Sequence, residues 1–335
     1  MVGIAAEPPV QGSGAVTAPE PATANEQEVV ATHWRRHEQW STLASRLKSR
    51  IGFWRTTSLV LGAAGALLQT AAVALGTGIA GMSVSVIGAI ALLFVPFIGR
   101  YFLTPEQVRE WLRARSMSEG LKSLVFRYRA RAAPFAEGDR VIQLKNAGKK
   151  AESSWVEAFA VELAGVEDRG GTPPPALDPD AYVAQRVRDQ IDRYYRPSAR
   201  INASRARTLR RAELTMAALA AALGGLTAAL KIPAAGMSSG LGPWVAVLTT
   251  IGGAIAAHAA ASRYDQQARV YFATARQLED LLDEWTADGK PQDPARWSAF
   301  VTACEEAISA ENRGWMAKLD PEEQRSQAGP SHQGG

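Results

Sequence analysis

Residues 56–99, TTSLVLGAAGALLQTAAVALGTGIAGMSVSVIGAIALLFVPFIG, contain no Asp, Glu, Lys or Arg. Two apolar segments, 56–75 and 82–99, flank Gly76-Thr77-Gly78, a combination typical of a helix end and a tight turn. A helix of about twenty residues is long enough to cross about 30 Å of hydrocarbon. We therefore predict two transmembrane helices joined as a hairpin.

Residues 214–262 repeat this pattern, with Lys231 as the only Asp, Glu, Lys or Arg. We predict spans at 214–230 and 241–261, joined by a turn over 231–240. The segment 214–230 is rich in alanine and gains less from lipid than leucine would. For this hairpin, a buried position in a soluble helical protein therefore stays open as an alternative.

Basic residues flank the outer ends of both hairpins, whereas the turns are almost uncharged. The basic flanks are Arg46, Lys48, Arg50, Arg55, Arg100, Arg205, Arg207, Arg210, Arg211 and Arg263. Lys and Arg accumulate on the cytoplasmic side of membrane helices. We expect a multi-pass protein with both termini and all long helices in the cytoplasm. The chain has a net charge of +4, but its basic residues cluster beside the apolar segments and no nucleic-acid recognition motif accompanies them. We therefore expect no binding to nucleic acid.

The remaining sequence predicts one plan used twice: an entry helix, a membrane hairpin, a heptad helix and a closing helix. No strand pattern competes with it, so the predicted fold class is an all-α membrane protein with four transmembrane helices. The predicted segments are a disordered tail (1–28), a first unit (29–165), a Gly/Pro linker (166–178), a second unit (179–319) and a disordered tail (320–335).

Local signals place the helices within these units. The first entry helix should begin near Val29 and continue into the first span. Thr104-Pro105 predicts a capped helix start, and Ala133-Pro134 a break. A further helix is expected over 139–163. The strongest heptad pattern follows the second hairpin. Its positions are Tyr264, Ala268, Tyr271, Ala275, Leu278, Leu282 and Trp285.

Small residues are frequent inside the spans, where they allow helix backbones to approach closely in lipid. These candidates for span packing or pore lining are Gly62, Gly65, Gly88, Gly224, Gly225, Gly252 and Gly253. Gln69 lies deep in the first span, where an unpaired amide is costly. It should therefore bond between helices or face water, and the first is the better explanation. Both packing and the lining of a passage remain open for the glycines.

Signals for catalysis or cofactor binding are weak. His33 and His37 lie one helical turn apart but lack a third ligand, so a solvated helix face is favoured over a zinc site. Cys304 is the only cysteine and occupies an apolar helix position. No nucleotide-binding or nucleophile motif is present. We expect no enzyme and no cofactor. No charge lies at mid-span, which argues against an ion-coupled transporter.

Three stretches resemble the SLATT superfamily, the two-transmembrane effector domains associated with SMODS nucleotidyltransferases and SLOG sensors in bacterial conflict systems. They are RARSMSEGLKSLVFRYRARAAPF (113–135), YVAQRVRDQIDRYYRPSARINASRARTLRRAEL (182–214) and WSAFVTACEEAISAENRGWMAKL (297–319). The likeness covers about residues 30–165 and 179–319, as in a tandem form.

The resemblance implies a bacterial plasma-membrane protein that forms pores or disrupts the membrane when a partner senses infection. No synthase or sensor domain is recognisable in the chain, so the trigger is expected from a separate nucleotide-signal or sensor protein. We expect a homo-oligomer in contact with membrane lipid. The alternative is a membrane-anchored scaffold that recruits a cytoplasmic partner through its helices. A small-solute transporter is a third and weaker interpretation.

Overall fold

The computed structural model describes residues 23–152, 156–167, 170–229, 242–291 and 293–327, and this part of the chain is helical without strands. The α-helices are α1 (Ala24–Leu75), α2 (Ile79–Phe102), α3 (Pro105–Arg129), α4 (Arg140–Glu152), α5 (Ala160–Ala164), α6 (Pro179–Tyr182), α7 (Arg196–Ala229), α8 (Gly242–Ser262), α9 (Tyr264–Ala287) and α10 (Pro294–Gln327). Four helical runs are long and apolar enough to cross a membrane. The predicted fold class is confirmed.

Helix α1 runs unbroken from the entry region through the first span, as predicted. It begins at Ala24 rather than near Val29, because the Thr23 hydroxyl accepts a hydrogen bond from the Glu26 amide (3.3 Å) and caps the helix. Residues 24–28, expected to be disordered, therefore belong to the helix. The rest of the predicted N-terminal tail lies outside the described residues.

The turn of the first hairpin depends on glycine. Gly76 has φ +73°, in the left-handed region that glycine adopts without strain. A Cβ atom on Gly81 would lie 1.9 Å from the Gly76 carbonyl oxygen, so α2 can start this close to α1 only with glycine there. As a result α2 begins at Ile79, earlier than the predicted span start at 82.

Helix α3 starts as predicted: Thr104 accepts a hydrogen bond from the Gln107 amide (3.4 Å), and Pro105 is the first helical residue. It ends at Arg129, before the predicted break. The single helix expected over 139–163 is wrong, since α4 ends at Glu152 and α5 is a separate short helix. Buried Phe159 between them packs into the core of the first unit.

The second entry helix is helical from Pro179 to Ala229 but is not regular. Two π-helical segments, Val183–Arg188 and Gln190–Tyr195, precede Pro197. Proline has no amide hydrogen and its ring displaces the preceding turn, so a wider helix before it relieves the conflict. We predicted a plain helix here. The predicted turn over 231–240 lies outside the described residues.

Helix α8 ends at Ser262 and α9 begins at Tyr264. Arg263 between them adopts a left-handed backbone conformation, with φ +49°. At the end of the second unit, α10 continues to Gln327, past the predicted end at 319. Residues 320–327, assigned to a disordered tail, are therefore helical.

The two units are fused into one helical body, which we define as the described helices outside the spans. Phe126 of α3 and Ala130, the residue that follows α3, belong to the same buried cluster as Tyr195 of the second entry helix and Leu278 of α9. Trp297 of α10 donates its indole N–H to the Ala130 carbonyl (2.8 Å). The predicted linker also takes part, because the Leu177 amide donates to the Arg129 carbonyl (3.0 Å).

Candidate functional site

The spans form an open arrangement rather than a closed bundle. We call the spans of α1 and α2 the first hairpin, and those of α7 and α8 the second hairpin. Helix α1 packs against α2 and also against α8, and α7 packs against α8. Helix α2 therefore packs mainly against α1, whereas α7 packs against both α8 and α9. Most of the apolar surface of both spans faces outward.

The first hairpin is held together by a close helix crossing. Gly65 and Gly88 face each other, and a Cβ on Gly65 would lie 2.7 Å from Leu92 Cγ and 3.1 Å from the Gly88 carbonyl oxygen. A Cβ on Gly88 would lie 3.0 Å from Leu68 Cβ. The structure thus brings two of the predicted packing glycines into one contact. Gly62 lies one turn away, and a Cβ added to it would lie 3.8 Å from Val95 Cγ2 and 3.9 Å from Ala254 Cβ in α8.

Gln69 bonds between the two helices of this hairpin. Its side-chain amide donates to the Ser85 carbonyl (2.9 Å), and its carbonyl oxygen accepts from the Ser85 hydroxyl (3.1 Å). Both polar groups are therefore satisfied without water, as lipid requires. The sequence-based preference for an interhelical bond agrees with this geometry. At the base of the hairpin, Trp54 stacks on Phe102 with ring centroids 4.1 Å apart.

The second hairpin has no equivalent crossing among its described residues. Gly224, Gly225 and Gly253 have no atom within 4 Å of an added Cβ, and Gly225 and Gly253 are exposed. Gly252 meets only Met216 Cβ, at 3.4 Å. These four predicted glycines are therefore not gathered into one contact within the chain. They leave a face of small residues open.

Hydroxyl groups in the second hairpin also bond within their own helix. Thr227 donates to the Leu223 carbonyl (2.8 Å), and Thr250 donates to the Ala246 carbonyl (2.8 Å). Such bonds satisfy the hydroxyl without tying one helix to another. The second hairpin is therefore held by apolar contacts between α7 and α8, whereas the first has a polar bond across it.

The predicted heptad seam on α9 is part of the helical body. Five of its residues are buried: Ala268, Tyr271, Ala275, Leu278 and Trp285. Tyr264 and Leu282 are half-buried. The seam packs against the second entry helix and α10 of the same chain. A second chain could not use this surface without opening the body.

A buried ion pair closes the second unit. Arg186 of the entry helix donates to both carboxylate oxygens of Glu305 in α10, at 2.9 Å and 2.8 Å. The Tyr182 hydroxyl donates to the same carboxylate (3.1 Å). The side chains of Arg186 and Glu305 are 1% and 0% exposed. A buried pair of this kind is stable only when its hydrogen bonds are complete, so removing either partner is costly.

The same arginine reaches the first unit. Its guanidinium lies 4.7 Å from the Phe126 ring centroid and 3.9 Å from Glu119 Oε2, both in α3. Burial by itself would lower the pKa of Arg186, but the Glu305 carboxylate raises it above its usual range. Burial, followed by the charge of Arg186, lowers the pKa of Lys122. These charges couple α3, the second entry helix and α10.

The first unit contains a similar ion pair with an aromatic donor, and we call each of these two arrangements a clamp. Arg36 of α1 forms an ion pair with Glu152 of α4, and the Trp40 indole N–H donates to the same carboxylate (3.4 Å). In each unit an entry-helix arginine and an aromatic donor hold a glutamate of a later helix. The first pair is more open, since the Arg36 side chain is 44% exposed.

Sequence reasoning missed both clamps, although a signal was available. Glu305 follows Val301 by four residues and precedes Ile308 by three, so it lies on the apolar face of its helix. Arg186 follows Tyr182 by four residues and shares its face in the same way. A charge on a buried face predicts a partner, but pattern alone does not identify a partner more than a hundred residues away.

His33 and His37 of α1 are buried, so the solvated helix face that we favoured for them is wrong. Each contacts a backbone carbonyl instead. His33 Nδ1 donates to the Val29 carbonyl (2.8 Å), and His37 Nδ1 donates to the Ser118 carbonyl (2.9 Å). Burial, with Lys122 nearby, lowers the pKa of His37 to about 4. Within the described residues no group of three or more metal-ligand side chains is arranged around one point. Cys304 is buried, as predicted, and burial raises its pKa.

Comparisons with known proteins match both units. Residues 182–315 match the family model described as SMODS and SLOG-associating 2TM effector domain 1. Residues 38–141 match the model of a protein family of unknown function, DUF4231. The comparisons with curated proteins and with solved structures returned no match. The matched ranges contain the two hairpins and the Arg186–Glu305 pair, whereas Arg36 and Glu152 both lie outside the range 38–141.

Proposed function

We propose that this chain, a multi-pass membrane protein whose residues 182–315 form a SLATT-family domain, is an effector that perturbs the bilayer when its helical body rearranges. Domains of this family are effectors associated with bacterial conflict systems, and this supports our proposal that the chain acts at the bacterial plasma membrane. The helical body and both termini lie in the cytoplasm in this proposal, and a separate sensor protein supplies the trigger.

The observation that carries the proposal is the unequal packing of the two hairpins. The first hairpin has a glycine crossing and a polar bond, whereas the second leaves Gly225 and Gly253 exposed. Helices associate in lipid through such small-residue faces. In our proposal the second hairpin packs against further copies of the chain, and a change in the body alters that packing.

The body is connected to the spans in a way that supports such coupling. Helix α1 passes from the body into the membrane without a break, and it contacts α8 of the other hairpin. Arg186 links α3, which follows the first hairpin, to the helix that enters the second. A partner that separates these elements would therefore act on both hairpins. Two packings that differ by a few kcal/mol are sufficient for such a switch.

Dye leakage from vesicles tests the proposal. The full-length protein is reconstituted at increasing protein-to-lipid ratios, and leakage is expected to rise more steeply than in proportion to the ratio. The variant Gly225→Leu/Gly253→Leu should reduce leakage. Gly99→Leu is the matched control, because Gly99 also has no atom within 4 Å of an added Cβ but lies in the first hairpin. Because the natural trigger is absent, the same assay is run with Glu305→Gln, which loosens the body at its buried ion pair. Absence of leakage at every ratio from both the wild type and Glu305→Gln would contradict the proposal.

The orientation is tested separately by cysteine labelling. In a Cys304→Ala background, Thr77→Cys in the first turn should react with a membrane-impermeant thiol reagent on intact cells. A cysteine at Gln27, at the start of α1, should react only after the cells are opened. The reverse result would place the body outside.

The alternative function is a membrane-anchored scaffold. Its simplest form uses the heptad seam for recruitment, yet that seam is buried within the chain. A scaffold would have to bind its partner through other surfaces of the body. Replacing both hairpins with unrelated ones distinguishes the two functions, since a scaffold keeps its activity and a membrane effector loses it.

A further inference from the structure

A cavity of about 350 Å³ opens where the spans meet the helical body. Helices α1, α7, α8 and α9 form its walls, and Trp111 of α3 contributes to one side. Arg55 lies directly before the first predicted span, and His258 lies one turn before the end of α8. A bilayer around the spans places its headgroup layer at this level. Residues of both units therefore surround a space within reach of lipid.

The charge of the cavity is one-sided. Its lining includes Lys48, Arg55 and Arg205 but no Asp or Glu. A neighbouring cavity between α7 and α9 differs, because its basic lining is accompanied by Glu213 and by Asp265, which pairs with Arg269 at 2.6 Å. The first cavity thus has an excess of positive charge that its own walls do not balance.

Aromatic rings orient two of these cations. The Arg205 guanidinium lies 5.7 Å from the Tyr264 ring centroid, and Lys48 Nζ lies 5.8 Å from the ring centroid of Trp111. Stacking on the Tyr264 ring holds the Arg205 guanidinium in place while its N–H groups remain able to donate. Arg55 is half-buried and makes no ion pair with a carboxylate of the described residues. An anion in the cavity would offset the cost of burying it.

We propose that this cavity binds the phosphate of an acidic phospholipid headgroup, held between Arg55 and Arg205. Basic pockets between membrane helices are the kind of site that anionic headgroups occupy. The volume lies near the lower end of the range for small-molecule sites, about 300–1,000 Å³. Ile201 on the cavity wall is 52% exposed, and Phe53, next to the lining residue Gly52, is 62% exposed. Both offer apolar surface to acyl chains. The site requires the membrane embedding but not the effector activity.

Lipid exchange tests the site directly. The full-length protein is placed in nanodiscs of equal parts phosphatidylglycerol and phosphatidylcholine, and the lipids that remain bound after release are measured by native mass spectrometry. The wild type should retain phosphatidylglycerol over phosphatidylcholine. Because each basic side chain near an anionic surface strengthens binding roughly fivefold, Arg55→Gln/Arg205→Gln should weaken the preference roughly 25-fold.

The matched control is Arg50→Gln/Arg200→Gln. Each of these arginines lies five residues earlier on the same helix, and neither lines the cavity. The control removes the same charge and should keep the preference. An equal loss in the control, or no loss in the cavity variant, would overturn the proposal. Arg205 is exposed, so the single variant Arg205→Gln should fold and lose roughly fivefold if the double variant does not fold.

Inorganic phosphate distinguishes the source of the anion. In nanodiscs of phosphatidylcholine alone, added phosphatidylglycerol should raise the thermal midpoint of the wild type. Millimolar inorganic phosphate should raise it far less, because it lacks acyl chains to bury. An equal rise with inorganic phosphate would show a free-phosphate site and overturn the lipid assignment.

Discussion

The two hairpins share a layout and differ in how they are held. In the first, Gln69 and Ser85 bond across the helices and Gly65 meets Gly88. In the second, the threonines bond within their own helices, and a Cβ added to Gly225 would meet no atom within 4 Å. A duplicated plan has thus produced one self-sufficient hairpin and one with an unused packing face. Outside the membrane the order is reversed, because the second unit has the more deeply buried ion pair.

The largest expected effect concerns that ion pair. Glu305→Gln leaves the Arg186 charge buried without its partner, and we expect the free energy of unfolding to fall by about 3–5 kcal/mol. The matched variant Glu152→Gln should cost about 1 kcal/mol or less, since Arg36 reaches solvent. Thermal unfolding in detergent measures both losses, with size-exclusion chromatography as the readout of the fraction that stays folded. Equal losses would mean that the clamps do not differ in strength.

The next effect concerns the helix crossings. Gly65→Leu forces a side chain into Leu92 and the Gly88 backbone, and overpacking of this kind costs about 1–3 kcal/mol. Gly225→Leu meets open space and should leave the stability of the monomer unchanged. The same unfolding measurement applies. A destabilised Gly225→Leu monomer would show that the second hairpin is packed as tightly as the first.

Lowering the pH should destabilise the helical body, because buried His37 of the first unit resists protonation in the folded state. The pKa of His37 is about 4 when folded against an ordinary value of 6.5, so the neutral ring stabilises the fold. This contribution is complete above pH 6.5 and is lost as the pH falls toward 4, amounting to about 2 kcal/mol between pH 7 and pH 5. The corresponding position after Arg186 is Val187, which does not titrate. His37→Asn should flatten the stability profile over this range, and an unchanged slope would exclude His37 as its cause.

The smallest effect concerns the polar bond in the first hairpin. Gln69→Leu should lose about 1 kcal/mol, in the range measured for hydrogen bonds between membrane helices. Thr227→Val in the second hairpin should lose less, because its bond lies within one helix. A double-mutant cycle of Gln69→Leu with Ser85→Ala should give a coupling of about 0.5–1 kcal/mol. Ser85→Ala keeps the backbone carbonyl that accepts from the Gln69 amide, so zero coupling would mean that the Ser85 hydroxyl bond contributes nothing to the hairpin.

Local features could be predicted from the sequence, and contacts between distant segments could not. The Thr104 cap and the Gly76 turn depend on neighbouring residues, and both are present as expected. Phe159, between α4 and α5, packs against Trp40 in the core of the first unit, a contact that helix periodicity does not encode. The π-helical segments had a local signal in Pro197. The sequence analysis nevertheless predicted a plain helix across this proline.

In the candidate site, too, local features were predictable from the sequence and contacts between distant segments were not. Composition identified Gln69 and the glycines, and physical reasoning about lipid favoured a bond between helices. Which glycines meet was not predictable, because it depends on the rotation of one helix against the next. The Arg186–Glu305 pair required knowledge that the entry and closing helices of the second unit lie side by side.

The continuity of helix α1 from the body into the membrane also has a mechanical consequence. At 1.5 Å per residue its 52 residues make a rod of about 78 Å, so a tilt of about 5° about one end displaces the other by about 7 Å. The second unit instead interrupts its path with π-helical turns on one side of the hairpin and a left-handed Arg263 on the other. A force on the body would therefore tilt α1 as a rigid rod and move the first hairpin with it. In the second unit the same force would bend the chain at the π-helical segments and at Arg263.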